Sequence, residues 1–206
     1  MKDMKWIDYV KEIQAIAQAG LTYTDNAYEL ERYTRLRELS VEMMSHYSQT
    51  DPQIVTELFA NEKGYQTPKV DVRAVVFSDD KILMVKETVD NRWSIPGGFA
   101  DIGYSPKAVA VKEAYEESGY RVKPVKLLAV LDKQIHRHPA SPHHLYKIFI
   151  LCEIIGHEEV HCIETSDVGF FGKDELPVLS TGRITEEQLK MLFEHHANPA
   201  KETVCD

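Results

Sequence analysis

The stretch that decides the fold lies near the middle of the chain and reads PGGFADIGYSPKAVAVKEAYEESGY from Pro96 to Tyr120. Ser105-Pro106 predicts the start of a helix, because a serine hydroxyl caps free N–H groups and proline suits the first helical turn. Gly119 predicts its end, because glycine adopts the left-handed conformation most easily. The stretch therefore predicts a glycine-containing loop followed by one capped helix.

That helix carries three glutamates, Glu113, Glu116 and Glu117, within an arc of about 100° on its surface. Like charges at these spacings repel one another and destabilise an isolated helix. A hard divalent cation reverses the effect, because magnesium prefers oxygen ligands and is commonly shared between carboxylates and substrate phosphates. A solvated acidic face is the alternative interpretation. The preceding Gly97-Gly98 pair favours a ligand, since glycine lets the backbone approach a bound group closely.

Strands and helices alternate on both sides of this stretch, which predicts an α/β or α+β domain, and we expect the α+β class. Ser78–Lys81 predicts a hairpin turn, and Thr185 begins the capping-box pattern of a last helix, Thr185–His195. The predicted strands are Val70–Phe77, Ile82–Val85, Val125–Leu131, Leu145–Glu153 and Val168–Phe171.

The N-terminal part of the chain has a helical pattern instead. Apolar residues recur there at three- and four-residue spacings, and Gly20 predicts the end of the first helix. Asp25-Asn26 predicts the cap of a second helix. Asp51-Pro52 predicts the cap and first turn of a third.

A polar stretch punctuated by glycine and proline, residues 61–68, predicts the boundary between the two patterns. We therefore expect a small all-helical domain over residues 1–66 and a second domain over residues 67–206. Three short helices bury little surface alone, so we expect them to pack on the second domain or to form a homodimer.

Charge and cysteine content limit the classes of function. The formal net charge of −9, from 24 basic and 33 acidic residues, gives little counterion release along a nucleic acid. It weakens a nucleic-acid interpretation without excluding a short RNA. Three cysteines without a CxxC pair suit a reducing compartment. No apolar run reaches membrane-spanning length, so we expect a cytoplasmic protein with no membrane partner.

The central stretch resembles the Nudix signature, G-x5-E-x7-R-E-U-x-E-E-x-G-U, where U is a bulky aliphatic residue. The positions that match in register are Gly98, Glu113, Glu116, Glu117 and Gly119. Tyr104 and Lys112 replace the family's first glutamate and its arginine, and Ala114 and Tyr120 occupy the aliphatic positions. In the family the replaced pair mainly shapes the joint between loop and helix. The resemblance therefore implies that hydrolysis survives these changes.

The resemblance also implies a fold and a metal site. The fold would be the Nudix α/β/α sandwich with a mixed sheet, preceded by the helical domain. Mg²⁺, with Mn²⁺ as a substitute, would be held by Glu113, Glu116, Glu117 and the Gly97 carbonyl. The general base is left open between Glu116, Glu117 and Glu164, with Asp167 as a further candidate and a solvated loop acid as the alternative interpretation of either loop residue.

Nearly the whole chain resembles a bacterial Nudix subfamily with an N-terminal helical domain. The resemblance implies a small-molecule substrate, a nucleoside diphosphate linked to a group X, cleaved to NMP and X-phosphate. CDP-choline is the first expectation, and ADP-ribose or a UDP-linked compound is the alternative. Substrate contacts are expected from Arg73, Tyr104, Arg137 and His144, each of which could instead be an ordinary sheet or surface residue.

Two rival functions remain open on the sequence. Hydrolysis of RNA ends or short RNA would use the same metal chemistry. A Nudix-fold sensor would bind a nucleotide without cleaving it, but such proteins usually lose metal glutamates or gain a basic extension. Since neither change is present here, the enzyme is the favoured interpretation.

Overall fold

The computed structural model describes residues 5–206, and the start of the predicted helical domain, residues 1–4, lies outside them. The described residues form two compact units. The first contains the residues up to Pro68 together with Ala140–His144, and the second contains Lys69–Pro139 and Leu145–Asp206. No helix within the described range is both long and apolar enough to cross a membrane. The expected cytoplasmic location stays a prediction.

The first unit contains three helices, α1 (Trp6–Tyr23), α2 (Ala27–Ser48) and α3 (Pro52–Phe59). Both predicted caps are confirmed. The Asn26 side chain accepts hydrogen bonds from the first N–H groups of α2, and the Asp51 side chain does the same for α3. A small apolar core joins the helices through Val10, Met44, Val55, Phe59 and Ala60.

Gly20 does not end the first helix, so that prediction was wrong. Helix α1 continues through Gly20 to Tyr23. A Cβ atom at Gly20 would lie 2.5 Å from the ring of Tyr33 on α2, which is too close for any side chain. The glycine therefore permits close packing of two helices, and this packing outweighs its low helix propensity.

The second unit is built on a mixed sheet. Its central strand order is β3-β2-β1-β6-β5-β8, with β4 paired to β1 and β7 paired to β2. Strands β1 and β6 are parallel, as are β5 and β8, and the other pairs are antiparallel. The strands are β1 (Lys69–Ser78), β2 (Lys81–Glu87), β3 (Trp93–Ser94), β4 (Gly97–Phe99), β5 (Tyr120–Asp132), β6 (Leu145–His157), β7 (Thr165–Phe171) and β8 (Val204–Cys205).

All five predicted strands are present, and all five extend beyond their predicted bounds, β5, β6 and β7 the furthest. Strand β5 begins at Tyr120 and β6 ends at His157, because these two strands pair along their full length and hold residues of weak strand propensity in the sheet. Strand β7 begins at Thr165 through pairing with β2. The predicted hairpin is confirmed, with Asp79 and Asp80 both at positive φ, as a two-residue turn between right-twisted strands requires.

Helices α4 (Pro106–Ser118) and α5 (Glu186–Ala197) cover opposite faces of this sheet. Val72, Ala74 and Val76 of β1 pack in the core with α4. The alternate residue Val75 packs in the core with α5. Successive strand residues point to opposite faces, so one strand supports both layers. The predicted α+β class and α/β/α sandwich are therefore confirmed.

Candidate active site

Helix α4 begins and ends where the sequence predicts. The Ser105 hydroxyl oxygen accepts a hydrogen bond of 3.2 Å from the Ala108 N–H, and Pro106 occupies the first turn. Gly119 ends the helix at φ 74°, and a Cβ atom there would lie 2.1 Å from the Glu158 carbonyl oxygen. Any other residue would clash with that backbone, so the close approach requires glycine.

The three glutamates of α4 line one cavity of about 880 Å³. The loop before the helix contributes Gly97 and Gly98 to its walls, and Glu164, which immediately precedes β7, also lines it. This volume lies within the range of about 300–1,000 Å³ that is typical of small-molecule sites. The structure therefore brings the predicted metal-binding residues and the predicted base Glu164 to a single site.

Glu117 is the most deeply placed of these carboxylates, at 5% exposure. Its Oε2 accepts a hydrogen bond of 2.9 Å from the Gly97 N–H, which joins the loop to the helix. Burial raises the pKa of Glu117 to about 8, although the charge of Arg73 and the Gly97 N–H both act to lower it. A buried carboxylate of this kind is costly to ionise, and a bound cation would offset that cost.

Lys112, which replaces the family's arginine, neutralises the more open end of the site. Its Nζ lies 2.8 Å from Glu116 Oε2, 3.3 Å from Asp101 Oδ2 and 3.6 Å from Glu113 Oε1. The hydrogen bond to Glu116 is the main reason that the pKa of Lys112 is raised. Burial raises the pKa of Glu113, and the Lys112 charge opposes that shift. Lys112 thus acts as an internal counter-ion for the glutamates.

The donor set fits a hard divalent cation, but the carboxylates are not yet arranged around one point. Within residues 5–206, no three acidic, histidine or cysteine side chains form a ready-made metal cluster. Three carboxylates and the backbone of Gly97 nevertheless supply oxygen donors to one cavity, which is the chemistry that Mg²⁺ prefers. A metal bound at Glu116 Oε2 would replace the contact of that oxygen with Lys112.

Arg73, expected to contact a phosphate, lines the cavity but is 4% exposed and already paired. Its Nε and Nη2 donate to the two carboxylate oxygens of Asp71 at 2.7 and 2.8 Å, and its Nη1 donates to the Ile95 carbonyl at 3.2 Å. Lys147 Nζ donates to the same Asp71 carboxylate at 3.0 Å. Most of the Arg73 donors that are fixed in direction thus point to partners within the protein, and few are left for a phosphate.

The other expected substrate contacts lie in different places. Tyr104 lines a separate, shallower cavity that Lys112 and Glu116 also border. Arg137 has a largely exposed side chain and forms an ion pair of 3.2 Å with Glu187 on α5. His144 belongs to the segment that groups with the N-terminal helices. The expected roles of these residues therefore stay predictions.

Sequence reasoning missed several residues that line the cavity, among them the charged residues Glu87, Lys133 and Arg183. Glu87 is buried at the end of β2, Lys133 begins a 3₁₀ turn after β5, and Arg183 precedes α5. They are far apart in the chain and belong to no local motif. Only the folded sheet brings them together.

The sequence of the chain matches two models of known protein families. Residues 67–193 match the NUDIX domain, and residues 4–59 match a domain described as "UDP-X-like, N-terminal oligomerisation domain". An α/β/α sandwich with a cavity lined by the glutamates of the signature helix agrees with the first match. The chain belongs to the Nudix hydrolase family, and the family predicted from the signature is confirmed.

Three similar proteins are named as pyrophosphatases or diphosphatases. A putative ADP-ribose pyrophosphatase of Bacillus subtilis is 49% identical over 202 residues, covering 98% of this chain and 97% of that protein. A solved ADP-ribose pyrophosphatase of Streptococcus suis is 42% identical, with a TM-score of 0.63 over 68% of this chain and 100% of that one. A solved UDP-X diphosphatase is 34% identical, with a TM-score of 0.64 over 100% of both chains.

The chain is thus a Nudix pyrophosphatase. This confirms the predicted class of enzyme. Nudix pyrophosphatases generally need a divalent metal. None of these three relatives is named for CDP-choline, which was the first expectation from the sequence.

Proposed function

We propose that this protein uses Mg²⁺ to hydrolyse ADP-ribose to AMP and ribose 5-phosphate. The observation that carries the proposal is the single cavity lined by Glu113, Glu116, Glu117, Gly97 and Glu164. The names of the two ADP-ribose pyrophosphatases support ADP-ribose as the first substrate, ahead of a UDP-linked compound. CDP-choline becomes the third candidate.

Each lining residue has a proposed role in this reaction. Glu113, Glu116, Glu117 and the Gly97 carbonyl would hold Mg²⁺, and Mn²⁺ would substitute for it. The bound ion would supply charge neutralisation to the diphosphate and lower the pKa of the attacking water. Glu164 would accept the proton of that water, with Glu116 or Glu117 as the alternative base.

The test is a substrate panel with products identified by mass. ADP-ribose, UDP-sugars, CDP-choline, dinucleoside polyphosphates and a 3′-labelled RNA oligonucleotide are each incubated with enzyme and Mg²⁺. We expect Mg²⁺-dependent release of AMP and ribose 5-phosphate from ADP-ribose at the highest kcat/KM. Higher kcat/KM on another compound would overturn the substrate choice, and no turnover of any compound would overturn the function.

Matched glutamine variants connect the activity to the helix. Glu116→Gln and Glu117→Gln each remove one proposed metal ligand, and we expect turnover to fall by about 10²-fold or more, which corresponds to about 3 kcal/mol. Glu186→Gln makes the same change at an exposed position of α5 and should keep the parent rate. Parent rates in Glu116→Gln and Glu117→Gln would contradict the assignment of the site.

A homodimer through the helical unit is the second part of the proposal. Ile54 and Leu58 lie one turn apart on α3 and are 49% and 58% exposed, whereas Val55 and Phe59 of the same helix are buried. The description of the matching domain as an oligomerisation domain supports a partner on that exposed face. A stripe of this kind is typical of a surface that packs against a second copy.

Light scattering tests the dimer directly. We expect a dimeric mass for the parent protein and a monomeric mass for Ile54→Glu/Leu58→Glu, because two buried charges would oppose association. Val89→Glu, at an exposed apolar residue of the second unit, should stay dimeric. A monomeric parent protein would contradict the proposal.

A further inference from the structure

The walls of the main cavity carry two kinds of charge. Three carboxylates, Glu113, Glu116 and Glu117, belong to the proposed metal site, and a fourth, Glu164, is the proposed general base. The same cavity is lined by Lys133 and Arg183, neither of which belongs to the family signature. A site of mixed charge suits a substrate that meets a metal with some of its oxygens and protein cations with others.

Arg183 is held firmly in position by acidic and hydroxyl groups. Its Nε lies 3.0 Å from Glu87 Oε1, and its Nη1 lies 3.8 Å from Asp90 Oδ2. The same Nη1 donates a hydrogen bond of 3.1 Å to the Ser180 hydroxyl. The charge of Arg183 is therefore largely compensated within the protein.

Lys133 has no such compensation. It is half-buried and lines the cavity, yet its ammonium group forms no hydrogen bond or ion pair with any residue in the described part of the chain. Burial lowers the pKa of Lys133, and the charges of Arg73 and Arg183 lower it further, although Asp71 opposes them. A half-buried cation that has no direct anionic partner is stabilised when an anion binds beside it.

The turn that carries Lys133 is fixed at both ends. Asp132 caps the turn by accepting a hydrogen bond of 2.9 Å from the Gln134 N–H, and its own N–H donates to Asp206 Oδ2 at 2.9 Å. His138 Nδ1 lies 2.7 Å from the Thr181 carbonyl oxygen. This last contact ties the segment of Lys133 to the segment that carries Arg183, so the two cations keep their places on the cavity wall.

We propose that Lys133 binds a phosphate oxygen of the substrate directly and thereby selects for a diphosphate. The inference rests on the proposed function for the identity of the substrate, and it adds a specificity-determining residue to that site. Lys133 would meet oxygens that the glutamate-held metal leaves free. A ligand without a second phosphate would lose this contact.

Steady-state kinetics on ADP-ribose tests the role of the charge. We expect Lys133→Met to raise KM by about 10- to 100-fold, as loss of a charge-assisted hydrogen bond would, with a smaller change in kcat. Lys133→Arg should restore most of the affinity. Lys123→Met changes an exposed lysine on β5, the strand that precedes the turn, and its KM should match that of the parent protein. An unchanged KM in Lys133→Met would overturn the inference.

A binding measurement without metal separates the inference from the proposed function. Inorganic pyrophosphate is titrated calorimetrically into the protein in EDTA, where no hydrolysis occurs. We expect the parent protein to bind and Lys133→Met to bind at least about tenfold more weakly, while Lys133→Arg binds like the parent. No binding by the parent, or equal binding by Lys133→Met, overturns the inference. Binding that depends on Lys133 in a protein that hydrolyses no nucleotide overturns the proposed function alone.

Discussion

Two clusters of charged side chains lie close together in this protein, and they differ in how their charges are compensated. In the buried ion cluster (Asp71, Arg73 and Lys147), the charges are paired within the protein, because both cations hydrogen-bond to the one carboxylate. The glutamate wall (Glu113, Glu116 and Glu117) lines an open cavity and has one nearby lysine, Lys112, as its counter-ion.

The difference shows how to separate structural charges from functional ones. A charge that is buried and fully paired stabilises the fold only while its partners remain, and its loss leaves the others uncompensated. Carboxylates that crowd around an open cavity destabilise the free protein and gain by binding a cation. We therefore expect substitutions in the two groups to change stability in opposite directions.

Asp71→Asn should have the largest effect on stability. It leaves Arg73 and Lys147 buried without an anion, which costs about 3–5 kcal/mol of unfolding free energy. Asp101→Asn makes the same change beside Lys112, where the carboxylate is half exposed, and should cost less than about 1 kcal/mol. Urea denaturation in EDTA measures both, and equal effects would remove the distinction between the two groups.

Glu117→Gln should raise the free energy of unfolding while it lowers turnover by about 10²-fold or more. The pKa of Glu117 is raised to about 8 from 4.5, so between these values the folded state binds more protons than the unfolded state. Stability from this group is therefore present at low pH and is lost as pH rises. At pH 7 without metal, the folded state must keep Glu117 protonated while the unfolded state ionises it; glutamine, which cannot ionise, removes this cost and should add roughly 1–3 kcal/mol. A less stable variant would contradict this account of the glutamate wall.

Lys147→Met should change the pH dependence of stability. Burial, and then the Arg73 charge, lower the pKa of Lys147 from 10.5 to about 7, although Asp71 opposes them. Between these values the unfolded state binds more protons, so this group makes stability rise with pH, by at most about 1.4 kcal/mol per unit. The rise in the free energy of unfolding between pH 7.5 and 9.5 should be smaller in Lys147→Met than in the parent or in Lys123→Met. Identical slopes in all three proteins would be evidence against the lowered pKa of Lys147.

Lys112→Met should have the smallest effect. Its ion pairs lie at the solvent-facing end of the cavity, where such contacts contribute about 0–1 kcal/mol. The free energy of unfolding should change by less than about 1 kcal/mol, against a larger, pH-dependent change for Lys147→Met. A loss above 2 kcal/mol would mean that Lys112 is part of the structural core.

Local sequence patterns were sufficient to predict the glutamate wall. The caps Ser105 and Gly119 set the ends of α4, and the helical repeat then places all three glutamates on one face. Part of the buried ion cluster could also have been predicted from the sequence, because Asp71 and Arg73 are two residues apart on a predicted strand and share a face. Arg73 was instead expected to meet a phosphate, since the sequence alone did not reveal that it is buried beside a carboxylate.

Non-local packing accounts for what the sequence did not predict. Gly20 has the same conformational freedom as a helix-ending glycine, and only the ring of Tyr33 shows that it serves helix packing. Lys133 and Arg183 enter the cavity from separate loops that a His138–Thr181 contact joins. Neither residue has a neighbour in the sequence that would indicate a binding role.

Direct titration with Mn²⁺, followed by electron paramagnetic resonance, tests the central claim that the glutamate wall holds a divalent cation. The parent protein and Glu186→Gln should bind Mn²⁺ with the same affinity, and Mg²⁺ should compete. Glu116→Gln and Glu117→Gln should each weaken binding by about tenfold or more, because each removes a charged oxygen ligand. Parent-like Mn²⁺ affinity in both glutamine variants would contradict the claim.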